Sequence, residues 1–442
     1  MTQTADTQDP FALARDAAAV IAERLPHHVH VARGALGVDL AEQLDPAAAQ
    51  AGAAGRLRLD DTVAERLPDC ADTPLARVTV RELLSHTSGA IRDGVDADHW
   101  QLDGPFPDAD ALRAIVREHG ATYAPQERFK YSNIGYGLLG AIIEAVTGRG
   151  YAEHVTEDIL VPLGLTDTRP EIDDDAAGRA VVGHTRAHGR GRRVSVAPTA
   201  TGALAAATGF VSTAEELSRF FSALALDRRE LLDEHALRLM HRAEASFPRG
   251  AGTGTYGLGL IGISVGGRRL VGHSGGFPGQ ITRTLVDPVT GLTVSVLTNA
   301  VDGPADALAV GLVELIDLLA QDAADGQALP AGVTTDDLDR LTGRAGLPAR
   351  LAEGGADRYR LLRFDADGGI RACLSFLRLG GALGSAHPAA LAEDTGVNAM
   401  LSFARHVTPS AGTAALIRAA YDPALPACAR DPSHALRLAT RL

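Results

Sequence analysis

Between Tyr256 and Thr298 the chain carries four β-type segments in close succession: Tyr256 to Ile263, Arg268 to Val271, Ile281 to Val286 and Leu292 to Thr298. Turns rich in Gly, Pro and Asp separate them. Connections this short join antiparallel neighbours, because a parallel return needs a crossover of about a dozen residues or more. A long apolar segment, Pro304 to Gln321, follows at once, with Pro304 suited to a first helical position. What precedes the strands reads as mostly helical. The pattern predicts an α+β fold in which an antiparallel sheet is flanked by helices.

The helical block is marked by period and caps. Phe11 to Arg24 is amphipathic, Gly37 to Ala54 is alanine-rich, and further helices are expected from Val78 to Leu84, Asp108 to His119 and Tyr151 to Leu160. Thr213 to Leu226 starts with Thr213 as cap and Glu216 three residues later, the pattern of a capping box. Leu231 to Met240 is another helix. Val181 to Val196 reads as a hairpin around a Gly/Arg turn, and His28 to Ala32 as a short strand. At 442 residues the chain is too long for one ordinary domain. The expected division is residues 1–325, with a helical subdomain over about 56–205, then a linker over 326–335 and a small β-rich domain over 336–442.

Charge and composition narrow the function. A net charge of −13 argues against nucleic acid and against an anionic membrane surface as partners. No run approaches the 18 or so apolar residues of a membrane span. Met1 to Pro10 is polar and acidic, and Cys70, Cys373 and Cys428 are odd in number and far apart. Together these predict reduced thiols and a cytoplasmic protein. His27, His28 and His30 find no third ligand type nearby, so no metal is expected. The text Gly252-Thr-Gly254-Thr-Tyr-Gly257 matches a dinucleotide fingerprint but precedes a strand rather than opening a helix, so no cofactor is expected either.

One stretch carries chemistry. In Tyr131-Ser132-Asn133 a phenol, a hydroxyl and a carboxamide sit at the mouth of a small-residue apolar helix that runs to about Val146 and stops at Gly148. A phenol there can move protons and a carboxamide can orient a carbonyl. The plain alternative is a helix N-terminus capped by Ser132 or Asn133.

Several other stretches fall in order around the triplet. They are Arg56 to Asp61, Val78 to Gly89 with its Ser85-His86-Thr87-Ser88-Gly89, Leu160 to Thr168, Gly209 to Thr213, Tyr256 to Gly259, and Gly272-His273-Ser274-Gly275-Gly276. In this order the chain resembles the serine β-lactamase and D,D-peptidase superfamily, in particular its class C-like esterase and carboxypeptidase branch, over roughly Leu40 to Gln321. The resemblance implies a cleft between the sheet and a mostly helical subdomain. It implies Tyr131 as the proton-transfer phenol, Asn133 as holder of a substrate amide with Ser132 beside it, and His273-Ser274-Gly275, with Gly276, as the strand alongside the reacting carbonyl. The ligand is then a small molecule with a carbonyl or amide group. His86 to Gly89 reads as scaffold beneath the cleft. The walls come from Asp93 to Phe106 and Thr185 to Ala200; the first holds Trp100, which either stacks a ligand or packs.

The chain departs from that family at the nucleophile. Family chemistry starts from Ser-x-x-Lys at the head of a helix. Here the first serine is Ser85, already inside the scaffold motif, and Lys130, next to the phenol, is the single lysine among 42 basic side chains. No Ser-x-x-Lys is present. Counting back from Gly55 puts Asp39 and Glu42 at the serine and lysine positions if one residue of length difference is allowed, and Val38 and Ala41 otherwise. Three readings follow: an inactive relative that keeps the cleft for binding or scaffolding, an enzyme repurposed to acid/base chemistry by Asp39, Glu42, Tyr131 and His273, or a different serine, Ser132 or Ser274, as nucleophile.

Overall fold

The computed structural model describes residues 34–35, 57–94, 98–101, 105–184, 195–249, 252–300 and 305–325. The first predicted helix, the His28 strand, the helix with Asp39 and Glu42, and the segment 336–442 lie outside the described residues.

Helices begin where the sequence supplies an oxygen for the orphan N–H groups of a first turn. Helix α1 (Val63–Arg66) and helix α2 (Val80–Leu84) each open with a full capping box, Thr62 with Glu65 and Thr79 with Glu82. Asp108 caps α3 (Ala109–His119) and Ser132 caps α4 (Asn133–Thr147), which ends on Gly148 at φ 70°. Next come α5 (Tyr151–Val155), continued by a π-helical turn over Thr156–Leu160, α6 (Asp174–Arg179) and α7 (Ala205–Thr208). Asp233 caps α9 (Glu234–His241), which follows α8 (Ala214–Ser222). The expected box at α8 is half made. Thr213 accepts from the Glu216 N–H, but the Glu216 carboxylate accepts instead from the Asp167 N–H at 2.9 Å and the Thr168 hydroxyl at 2.5 Å. That choice ties α8 to the chain leaving the π-helical turn.

Three short pairs lie outside the main sheet: β1 (Gly34–Ala35) with β4 (Val211–Ser212), and β2 (Gly183–His184) with β3 (Ser195–Val196) closing the predicted hairpin, whose turn lies outside the described residues. A bridge from Arg169 to Val211 makes the third.

The main sheet is a six-stranded antiparallel meander in the order β10-β9-β8-β7-β6-β5. Its strands are β5 (Ala245–Arg249), β6 (Gly252–Tyr256), β7 (Ile261–Val265), β8 (Arg268–Phe277), β9 (Gln280–Val286) and β10 (Thr293–Thr298). The expected strand Tyr256 to Ile263 is thus two strands. Between them the Gly257 N–H donates to the Leu260 carbonyl at 2.8 Å and Gly259 turns at φ 84°. Strand β5 holds Pro248, which only an edge position tolerates. Strand β8 runs six residues past the expected Val271.

Strand alternation separates two cores. Leu270, Leu285, Val294 and Val296 join Ala305, Ala309 and Val313 of α10 (Ala305–Ala324) in one cluster. Val271, Phe277, Val286 and Leu297 join α4, α8 and the rest of the helical layer in the other. His273 follows the register of Val271 and so faces the helical layer, where Thr284 and Ser218 both reach Ser295. Arg283 has the opposite register and meets Asp306 of α10 at 3.3 Å. The sheet therefore presents His273, and not the guanidinium behind it, to the helical layer.

Candidate active site

The triplet is held by the loop that follows α2. Ser132 is 1 % exposed; its hydroxyl accepts the Gly135 N–H at 2.8 Å and donates to the Ile91 carbonyl at 2.6 Å. Its own N–H donates to His86 Nδ1 at 3.2 Å. Asn133, the first residue of α4, donates through Nδ2 to Asp93 Oδ1 at 2.5 Å. The same Asp93 oxygen accepts Trp100 Nε1 at 2.8 Å, and Asp93 Oδ2 lies 3.0 Å from Arg92 Nε. The Arg92 guanidinium in turn sits over the Tyr131 ring, 5.3 Å from its centroid, a cation–π distance.

His86 lies under Tyr131. Its ring centroid is 4.1 Å from that of Tyr131, 4.6 Å from Tyr136 and 4.8 Å from Tyr256. It is fully buried. Burial foremost, then the nearby His273, Arg92 and Lys130, hold it well below the usual imidazole range. A neutral ring that accepts at Nδ1 carries its proton on Nε2. That N–H has no hydrogen-bond partner among the described residues.

His273 approaches Tyr131 from the sheet, with ring centroids 6.2 Å apart and planes inclined by 25°. Its Nδ1 is 2.8 Å from the Ser274 carbonyl, an acceptor only, so Nδ1 carries the proton. Burial, and to a lesser degree the Arg283 charge behind the strand, push His273 well below the ordinary imidazole value, against the pull of the Ser274 carbonyl. In the neutral ring the lone pair is therefore on Nε2. Such a group next to a phenol can take a proton and return it.

Four of the expected site residues thus meet: Tyr131, Ser132, Asn133 and His273. Ser274 is exposed on β8, opposite Arg283. The Gly275 N–H donates to Thr282 Oγ1 at 3.0 Å, and Gly276 pairs with Ile281. Asp39 and Glu42 lie outside the described residues. His86, expected as scaffold, lies against Tyr131; Asp93 was expected only as the start of a wall, and Arg92 not at all. The Ser-His-Thr-Ser-Gly motif was a signal for His86; nothing local marks Asp93, which is 40 residues from Asn133. A separate groove of about 400 Å³, lined by Thr156, Glu157, Arg169 and Glu171 among others, includes none of these residues. Among the described residues no group of three or more His, Cys, Asp or Glu side chains is placed to hold a metal ion. No helix there is long and apolar enough to cross a membrane.

A helix-flanked antiparallel sheet of this kind is the α+β fold of the β-lactamase and transpeptidase class. Residues 47–316 match the family model described as Beta-lactamase, more than half of the chain. The chain belongs to the β-lactamase family, a family of hydrolases and their relatives. It is 34% identical over 137 residues to penicillin-binding protein 4 of Amycolatopsis lactamdurans, covering 30% of this chain and 34% of that one. Curated relatives are matched over only about a quarter to a third of their length. Among solved structures, a D-stereospecific amidohydrolase from Streptomyces sp. aligns with a TM-score of 0.56 at 23% identity, over 66% of this chain and 95% of that one. The D-amino acid amidase of Ochrobactrum anthropi SV3, complexed with L-phenylalanine amide, aligns with a TM-score of 0.54 at 25% identity, over 66% and 84%.

Proposed function

We propose that the cleft at Tyr131 and His273 binds a small molecule by a carbonyl or amide group and hydrolyses it by acid/base chemistry, without an acyl-serine. The observation behind this reading is the contact of the Tyr131 phenol with two buried, neutral imidazoles, one of them with its lone pair on Nε2. A neutral base needs no lysine to stay deprotonated. In this reading His273 takes the proton of an attacking water and Tyr131 gives one to the leaving nitrogen or oxygen. Asp39 and Glu42, which counting along the sequence puts at the family's serine and lysine positions, would add carboxylates. Two neighbours in fold act on amides by name, which supports an amide as the ligand's functional group.

The serine alternatives are weaker. The Ser132 hydroxyl is committed twice within the fold, and Ser274 lies on an exposed register of β8. A second reading, a binding protein without turnover, is favoured by one observation: the Asn133 amide donates to Asp93 rather than standing clear for a substrate.

Intact-protein mass after incubation with a fluorophosphonate and, separately, a penicillin tests the mechanism. No adduct is expected on the folded protein; a stoichiometric adduct on a mapped serine overturns the proposal. Hydrolysis of a panel of amides and esters then separates the two readings. Turnover lost in both Tyr131→Phe and His273→Gln, with the fold intact by circular dichroism, supports the enzyme. Thermal stabilisation by a panel member without turnover supports the binding protein.

A further inference from the structure

We infer that the site takes carbonyl compounds carrying an aromatic or bulky apolar substituent, and that Trp100, set in place by Asp93, selects it. This deepens the reading of the cleft as a carbonyl site and rests on it.

The starting point is one carboxylate. Asp93 is 1 % exposed, and its Oδ1 accepts from both Asn133 and Trp100. Two N–H groups bonded to one oxygen are near neighbours, so the indole edge adjoins the carboxamide of the triplet. Through Arg92 the same carboxylate is tied to the cation over Tyr131. The phenol, the carboxamide and the chain's only tryptophan therefore share one anchor.

The indole is also fixed from the sheet side. Its ring meets Phe106 at 5.3 Å and 76° and Phe277 at 5.9 Å and 69°, both edge to face, and Phe106 stacks on Phe277 at 5.8 Å and 16°. Phe277 ends the strand that carries His273, four residues earlier. Through Trp100 and Asp93 the aromatic group thus links the strand of His273 to the first residue of the helix of Asn133. Phe106 and Phe277 are buried, whereas Trp100 is only partly so. Trp100 is the member left to meet a ligand. An aromatic face already held by a hydrogen bond and two edge contacts loses little freedom when a substituent lands on it. Plain packing accounts for Phe106 and Phe277; it leaves unexplained why the partly exposed indole is held by the oxygen that holds Asn133.

Trp100 makes the test direct, since all indole fluorescence comes from it. The full chain is titrated with phenylalanine amide and with alanine amide, by fluorescence and by calorimetry. Phenylalanine amide is expected to bind about tenfold tighter or more, in proportion to the extra apolar area it covers, and to shift the Trp100 emission. In Trp100→Ala the preference should fall to near unity while alanine amide affinity holds; Trp100→Leu, which keeps an apolar side chain there, serves if the alanine variant fails to fold. In Asp93→Asn, where the shared acceptor is lost, both amides should weaken. Equal affinity for the two amides in the wild type, or a preference unchanged in both Trp100 variants, overturns the inference and leaves the carbonyl site standing. If neither amide binds, the underlying reading of the cleft fails, and this inference falls with it.

Discussion

The His86 and Tyr131 rings lie with centroids 4.1 Å apart and planes tilted by 40°, and His86 also bonds the residue on either side of Tyr131. The Lys130 N–H donates to the His86 carbonyl at 2.7 Å, and the Ser132 N–H donates to His86 Nδ1 at 3.2 Å. To do this His86 adopts φ 54°, a left-handed conformation in which a non-glycine residue stores on the order of 1–3 kcal/mol. The loop after α2 thus sets the backbone of the phenol as well as its ring.

The conformation and the acceptor can be separated by substitution. Asn tolerates the left-handed region and presents an oxygen where imidazole presents Nδ1. Leu does neither and leaves the buried Ser132 N–H unmet, at a cost of roughly 1–3 kcal/mol for that group alone. His86→Asn is expected to lose about 2 kcal/mol, mainly ring contacts, and His86→Leu about 4 kcal/mol. Urea unfolding of both variants checks this. Equal losses would show that neither the acceptor nor the backbone angle matters.

Buried neutral histidines also set the acid limit of the fold. His86, His273 and His241 are all shifted down by burial, His241 to about 4. In the unfolded chain each titrates near 6.5, so on acidification the unfolded state takes up protons first. Their contribution is whole above that pH and is lost as pH falls towards each folded value, at up to about 1.4 kcal/mol per pH unit for each group. Unfolding free energy should therefore drop between pH 7 and pH 5, above the range of ordinary carboxylates. His241→Phe should make that drop shallower by about 1.4 kcal/mol per unit. An unchanged slope in that variant would mean that His241 is already protonated in the fold.

Much of this could be read from the chain because its signals are local. Thr213 caps its helix where expected, and Ser132, one of two expected candidates, caps another, since a cap and its N–H lie within three residues. The triplet is contiguous, and His273 sits in a recognisable Gly-His-Ser-Gly-Gly run. What escaped is long-range or masked by glycine. Asp93 and Arg92 act on Asn133 and Tyr131 across about 40 residues, and no periodicity marks such a pairing. Residue pattern alone ended β8 at Val271 because of Gly272, Gly275 and Gly276, whereas the resemblance implied a strand through His273-Ser274-Gly275; the strand pairs with β9 as far as Phe277. Pro248 hid β5, which survives only as an edge. The capping box at Glu216 was misjudged because a tertiary partner, Thr168, competes for the carboxylate.

Ser132 is expected to prove structural. Ser132→Ala removes the cap on Gly135 and the bond to the Ile91 carbonyl, at about 2 kcal/mol together. Whatever fluorophosphonate reactivity the wild type has should be unchanged in this variant once it is folded. Urea unfolding and intact mass report the two quantities separately. Reactivity abolished without loss of stability would reverse the assignment and make Ser132 the nucleophile.

Gly272 sets how closely β8 can lie on β9 next to His273, and a comparison with Gly148 isolates that effect. Both have positive φ, 154° and 70°. A Cβ at Gly148 would meet nothing within 4 Å, so Gly148→Ala should cost only the backbone term of about 1 kcal/mol. A Cβ at Gly272 would stand 2.1 Å from the Thr284 carbonyl oxygen, and neither backbone can retreat without opening the ladder around the His273–Thr284 pair. Gly272→Ala should therefore cost about 3 kcal/mol or more, the range of overpacked core sites with backbone strain added. Because His273 is the next residue, the same shift should carry its ring away from Tyr131. Urea unfolding should rank the two variants clearly, and only Gly272→Ala should alter the tyrosine region of the near-ultraviolet circular dichroism. If the two cost the same, the strands can separate by the width of a methyl group without penalty, and the spacing of His273 from Tyr131 is not set by the glycine.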